Sequence, residues 1–185
     1  LSAAMGEAAG MPTFAGGNLG TPLIEAVGTD AGERGLVVAE VSSFQLERVD
    51  RFRPKVAVLL NVSEDHLDRY ESYAGYVAAK GNIFIAQGAD DYAVVPTHDE
   101  VCLGLAKAGA AAVHTFGPSG ELRIEDGTLR DAASGLEVPV EALALVGGPN
   151  ELNCCAAALA ARLAGIDVSA IRATLVSFAG LPHRM

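Results

Sequence analysis

The chain has 185 residues, 50% hydrophobic and 19% charged, which excludes a disordered segment and suits one folded body with a real core. Its 23 acidic and 13 basic residues give a formal charge of −10 without any Lys/Arg-rich run, which excludes an electrostatic nucleic-acid surface. A small anionic ligand stays compatible, because helix N-termini, a few placed cations and a divalent metal can supply a local positive field.

Cys102, Cys154 and Cys155 have no Cys-x-x-Cys or other zinc-ligand spacing and read as reduced, packed thiols. No stretch approaches the roughly 18 apolar residues of a membrane span, and no basic-then-apolar leader is present. A cytoplasmic protein is expected.

In chain order, Gly16-Gly17-Asn18-Leu19-Gly20-Thr21-Pro22 reads as a glycine-rich turn able to approach a phosphate or substrate, or as a plain turn before a helix. It lacks the Lys-[Ser/Thr] ending of a P-loop. Leu36–Val41 and Val56–Leu60 are apolar and rich in β-branched residues, the pattern of parallel strands buried on both faces. Helices are predicted over Tyr73–Gln87 and Glu100–Ala108, with Ser72 and Asp99 as N-caps, and strands over Tyr92–Val95 and Val113–Phe116. Asp126-Gly127, flanked by two short strand-like runs, predicts a type I′ hairpin inside a small antiparallel unit spanning residues 113 to 146. Asn150–Ala164 and Ser169–Phe178 close the chain as a helical pair. Alternating strands and helices imply an α/β fold, a layered and mostly parallel sheet flanked by helices.

Candidate chemistry lies just past two of these strands. Glu40, at the end of Leu36–Val41, stands where open parallel sheets bind ligands; its carboxylate can hold Mg²⁺ or merely cap a loop and pair with Arg48. His66, beside Asp65 and Asp68, can join carboxylates at the same sheet edge or sit in the acidic first turn of a helix. Lys80 on periodicity alone is a solvated helical lysine. Asn150 and Asn153 are three residues apart, so one helix face can present two amides to a base edge; Asn150 is equally suited to an N-cap.

Glu-Val-Ser-Ser-Phe-Gln-Leu-Glu at 40–47, Asn-Val-Ser-Glu-Asp-His-Leu-Asp-Arg-Tyr at 61–70 and Leu-Pro-His-Arg at 181–184, in this order and spacing, resemble the central ATP-binding domain of the Mur ligases, and within them the D-glutamate-adding branch. The resemblance runs from about Gly16 to Arg184. It implies an ATP-dependent amide ligase that adds D-glutamate to UDP-N-acetylmuramoyl-L-alanine in peptidoglycan synthesis. It further implies that Glu40 holds the Mg²⁺ bridging the ATP phosphates, and that His66 and an N-carbamylated Lys80 serve a second Mg²⁺. Asn18, Ser42 and His66 would position the acyl substrate, and Asn150, Asn153 and Arg184 would contact the nucleotide. Glu40, His66 and Lys80 form the implied catalytic set.

Two departures stand out. Pro149 replaces the histidine of the family's Gly-x-His-Asn string, and no Gly-x-x-Gly-Lys-[Thr/Ser] string occurs in the 185 residues. Residues 1–185 are therefore expected to be a central-domain segment of a longer protein, without the UDP-binding and amino-acid-binding domains. Alone it should be inactive, with an apolar gap or open edge in its sheet that invites non-native association. The rival readings are a non-catalytic nucleotide-binding or interaction module, and another amide ligase of the folylpolyglutamate type.

Overall fold

The computed structural model describes residues 1–18, 20–64, 69–145, 147–178 and 180. Helix α1 (Ser2–Ala8) leads into strand β1 (Thr13–Gly17), and a short α2 (Asp30–Arg34) into β2 (Leu36–Glu40). A single-turn α3 (Ser43–Leu46), β3 (Val56–Val58), α4 (Tyr73–Gly81), β4 (Tyr92–Pro96), α5 (Glu100–Ala108) and β5 (Ala112–Phe116) follow. The chain then makes β6 (Leu122–Glu125), β7 (Thr128–Asp131) and β8 (Leu136–Pro139) before α6 (Gly148–Leu163) and α7 (Val168–Ser177).

The strands form two ladders. β1 and β2 pair in parallel, and a six-stranded sheet runs in the order β3-β4-β5-β6-β7-β8. Pairing in the second sheet is parallel from β3 to β6 and antiparallel from β6 to β8. The expected α/β layering is present, but the antiparallel unit is narrower than the expected 113 to 146: it comprises β6 to β8, because β5 pairs in parallel with both β4 and β6. Its β6–β7 turn is built as the sequence predicts, with positive φ at Asp126 (48°) and Gly127 (68°).

Why the elements fall where they do is local. Ser72 and Asp99 cap α4 and α5, each accepting a backbone N–H three residues on, from Gly75 and Cys102. β4, between β3 and β5, is buried on both faces: Val94 enters the core beneath α6 and α7, while Ala93 and Val95 enter the core shared with α4 and α5. That two-sided burial is what its unbroken apolar run requires. On the first side α6 contributes Cys155, Ala158 and Leu159, all fully buried, and small side chains let it lie close to the sheet.

β2 departs from expectation. Leu36–Val41 is predicted to be buried on both faces, yet no residue of β2 is fully buried and Val37 is 38% exposed. The cause is topological, since β2 pairs with β1 alone and an apolar cleft of about 350 Å³ separates it from β3. The predicted helix Tyr73–Gln87 also ends sooner, at Gly81, and tightens into a 3₁₀ turn over Asn82–Phe84. α1 and β1 have no counterpart in the sequence reading.

The corners of the sheet are pinned by polar groups. Buried Asp91 pairs with Arg53 Nε at 2.5 Å and Lys55 Nζ at 3.6 Å and accepts the Gly88 N–H, fixing the entry to β4. Gln87 donates to the carbonyls of Pro54 and Tyr92 at the same corner. Asp131, also buried, takes an ion pair from Arg162 of α6 at 2.7 Å and ties the antiparallel unit to that helix.

Candidate active site

The site is assembled from strand ends. Gly17 and Glu40 are register partners at the last positions of β1 and β2. Gly17 has φ of +109°, and a Cβ there would lie 2.2 Å from the Glu40 carbonyl oxygen, so only glycine lets the backbones approach so closely. The turn after it brings the Asn18 N–H onto that carbonyl at 2.7 Å, and the Asn18 side-chain amide donates to Glu40 Oε1 at 3.2 Å. Glu40 is exposed, so one carboxylate oxygen is oriented by Asn18 while the group stays open to solvent and ligand. The segment read as a glycine-rich turn is thus the end of a strand plus the loop that aims Asn18 at Glu40. The alternative pairing of Glu40 with Arg48 is not what holds this carboxylate.

Ser42 caps α3 in a reciprocal capping box with Gln45: its hydroxyl accepts the Gln45 N–H at 3.3 Å, and Gln45 Oε1 accepts the Ser42 N–H at 2.9 Å. The hydroxyl therefore has a structural task, which keeps α3 at a fixed angle just past Glu40.

The strings at 40–47 and 61–70 meet in space. Phe44 stacks on Tyr70 with centroids 5.9 Å apart, and Arg69 lies over Phe44 at 5.3 Å while pairing with Glu47 at 3.2 Å. Tyr70 also meets Tyr76 edge to face at 5.3 Å. Burial, with the Glu47 carboxylate beside it, pushes the Tyr70 hydroxyl above its ordinary pKa. Further along, the Val62 N–H reaches the Asp99 carboxylate at 3.1 Å and Tyr73 Oη donates to the Val62 carbonyl. Burial disfavours ionised Asp99, but the N–H donors of Cys102 and Val62 outweigh it and hold the carboxyl below its usual range. Asp99, read as a helix cap alone, also anchors the loop that carries the 61–70 string.

Lys80 is half-buried on α4, its ammonium 5.1 Å from the centroid of the Tyr76 ring one turn earlier. The solvated-lysine reading is therefore incomplete, and an i, i+4 aromatic was the available signal. His66 lies outside the described residues, as does Arg184. Among the described residues no group of three His, Cys, Asp or Glu side chains is placed to hold a metal ion.

Asn150 and Asn153 sit in the first two turns of α6, which starts at Gly148 with Gly147 as N-cap at φ +97°. Asn150 is therefore inside the helix and not its cap, and Asn153 is exposed. Pro149 fits the first turn, where a missing N–H costs nothing. The N-terminal end of α6 adjoins the β4 and β5 ends: a Cβ on Gly117 would meet Thr97 Oγ1, His98 Nδ1 and Leu152 at 3.3 to 3.7 Å.

Among the described residues no helix is long and apolar enough to cross a membrane. A model of the Mur ligase middle domain matches residues 19–161. The chain is 43% identical over 186 residues to the UDP-N-acetylmuramoylalanine–D-glutamate ligase of Geobacter metallireducens, covering 97% of this chain and 41% of that protein. It is 41% identical over 184 residues to the enzyme of the same name from Myxococcus xanthus, at 94% and 40% coverage. The chain thus spans about two-fifths of the length of the curated relatives it matches. Among solved structures, a UDP-N-acetylmuramoyl-L-alanyl-D-glutamate–2,6-diaminopimelate ligase superposes with TM-score 0.73 at 21% identity, over all of this chain and 45% of that one. A pseudomurein peptide ligase type C from Methanothermus fervidus gives TM-score 0.72 at 17% identity, over 100% and 47%. These likenesses show a shared fold.

Proposed function

The chain belongs to the Mur ligase family, as its middle domain, and from that premise we propose that residues 1–185 are the nucleotide-binding core of a cytoplasmic, ATP-dependent D-glutamate ligase acting on UDP-N-acetylmuramoyl-L-alanine. The observation that carries the reading is the Asn18–Glu40 pair at the ends of β1 and β2, with the 61–70 string packed beside it through Phe44 and Tyr70.

In this reading the terminal carboxylate of the acyl substrate takes the γ-phosphoryl group of ATP, releasing ADP. The amine of D-glutamate then attacks the acyl carbon, the C–O bond to the phosphoryl group breaks, and inorganic phosphate leaves with one former carboxylate oxygen as the amide forms and the amine gives up a proton. Glu40 fits a Mg²⁺ ligand, being an exposed carboxylate at a strand end with one oxygen pre-oriented by Asn18. Mg²⁺ there would neutralise charge on the phosphoryl oxygens. Lys80 and His66 would serve a second Mg²⁺, Lys80 as its carbamate. Asn18 and Ser42 would flank the acyl substrate, with Ser42 acting through the capped α3. Asn150, Asn153 and Arg184 would contact the nucleotide at the start of α6.

No Gly-x-x-Gly-Lys-[Thr/Ser] string lies within the 185 residues, so no backbone nest or lysine of that kind grips the β- and γ-phosphates here. We therefore expect these residues alone not to turn over ATP. The test is D-glutamate-dependent ADP release by the longer protein that contains them, with Glu40→Gln and Lys80→Ala each expected to lose about a hundredfold or more. ADP release that ignores D-glutamate, or that both substitutions leave intact, overturns the reading.

A further inference from the structure

Arg69 is an exposed cation that its surroundings hold still. Its guanidinium lies 5.3 Å from the centroid of the Phe44 ring and donates to Glu47 Oε2 at 3.2 Å, yet the side chain stays 53% exposed. The two groups that hold it are themselves fixed. Phe44 is stacked on Tyr70 with an interplanar angle of 13°, and α3, which carries Phe44, is tied to α4 by the Asn82 amide on the Leu46 carbonyl at 3.0 Å. Glu47 is the C-cap of α3, and its other oxygen, Oε1, is buried.

An arginine whose ring platform and counter-ion are both rigid has lost its rotamer freedom before any ligand arrives, which is the condition of a pre-organised anion receptor. A guanidinium has five N–H donors in a planar fork and a bidentate carboxylate engages two of them, so an arginine paired with Glu47 can still hold a second planar anion. Its position suits a substrate, since α3 begins three residues after Glu40 and Phe44 stands four residues after it. In the ligase reading the amino-acid substrate brings two carboxylates to a chain of formal charge −10, and no residue so far assigned to metal, acyl substrate or nucleotide holds it. Lys80 as its carbamate is an anion. Arg69 supplies the cation that this substrate needs.

We propose that Arg69 is a specificity residue of the ligase, the receptor for a carboxylate of the incoming dicarboxylic amino acid, presented on the face of Phe44 and aimed by Glu47. Arg69 touches the substrate in this proposal, and Glu47 acts through Arg69 as its positioning residue. The proposal rests on the ligase reading and deepens it by placing the amino-acid substrate against the 61–70 string.

The experiment is steady-state ADP release by the longer protein that contains these residues, with D-glutamate and ATP varied in turn. In Arg69→Ala the KM for D-glutamate should rise at least about tenfold while the KM for ATP stays within about twofold. Arg69→Lys keeps the charge without the planar fork, and its KM for D-glutamate should fall between those of the parent and Arg69→Ala. Glu47→Gln should raise the same KM by a smaller factor than Arg69→Ala, again sparing ATP. Millimolar guanidinium should restore part of the D-glutamate affinity lost in Arg69→Ala, an effect that a merely structural role would not produce. Should Arg69→Ala fail to fold, Arg69→Lys and Glu47→Gln decide. An unchanged KM for D-glutamate in folded variants, or an equal rise in both KM values, marks Arg69 as a tie between α3 and the 61–70 string and overturns this proposal alone. A parent that releases no ADP in response to D-glutamate overturns the ligase reading, and the proposal with it.

Discussion

The carbonyl of Glu40 lies 2.2 Å from where a Cβ on Gly17 would stand, so the glycine and the carboxylate-bearing strand end are one structural unit. The same approach delivers Asn18 to the Glu40 side chain. Gly17→Ala must both adopt φ near +109° and move the β2 backbone. The strain alone is worth about 1–3 kcal/mol, and the clash adds to it. The free energy of unfolding from urea titration should fall by at least that amount, with a lower midpoint and an unchanged slope. The ligase activity proposed for the longer protein should fall as well, because Asn18 no longer aims Glu40. A Gly17→Ala chain as stable as its parent contradicts this geometry.

Much of this was legible because it is local. The Asp126-Gly127 hairpin and the caps at Ser72 and Asp99 are set by a few neighbouring residues, and the structure has all three. β1 was not legible, since Thr-Phe-Ala-Gly-Gly has two glycines in five residues and becomes a strand only by pairing with β2. α1 is short and has no side-chain cap, so its signal comes from packing against α7 and α6. At the site, the residue types were visible in the strings, but the Arg69–Glu47 and Phe44–Tyr70 contacts join segments 22 and 26 residues apart and have no periodic signature. The exposure of β2 was hidden for a related reason, since an apolar run does not say whether a neighbour occupies its edge.

Gly104 offers the opposite case to Gly17. It lies exposed in the interior of α5, and a Cβ there would meet nothing within 4 Å. Gly104→Ala should stabilise the chain by about 0.5–1 kcal/mol, because alanine loses less backbone freedom on entering a helix. Chemical denaturation checks the value, and a loss of stability would mean that α5 does not continue through residue 104.

The three thiols should be inert while the chain is folded. Burial pushes Cys102 and Cys155 up to about 12 and Cys154 up to about 11. At pH 8 the thiolate fraction of a group at about 12 is on the order of one in ten thousand, against roughly a quarter for a free thiol. Ellman's reagent should therefore register almost no fast-reacting thiol in native buffer and all three cysteines in 6 M guanidinium chloride. One thiol reacting at the rate of a free peptide would contradict the packing around α5 or α6.

Stability should fall on acidification, through Asp91 and Asp99 together. The Arg53 guanidinium hydrogen-bonded to Asp91, aided by the Gly88 N–H, holds that carboxyl below its ordinary 3.8. At Asp99 burial pushes the other way, and the Cys102 and Val62 N–H groups still bring it below 3.8. A carboxyl depressed by folding contributes stability that is fully present above its unfolded value and is lost as pH falls through its folded value. The urea midpoint should therefore be insensitive to these two groups above about pH 5 and decline below about pH 4. Asp91→Asn should lower the midpoint at pH 7 and flatten the acid limb, since the neutral amide removes the Arg53–Asp91 charge pair at every pH. Asp99→Asn should flatten the same limb while also loosening the loop held by Val62, seen as faster amide exchange at that residue. An acid limb of unchanged steepness in both variants would assign the acid sensitivity to other carboxylates.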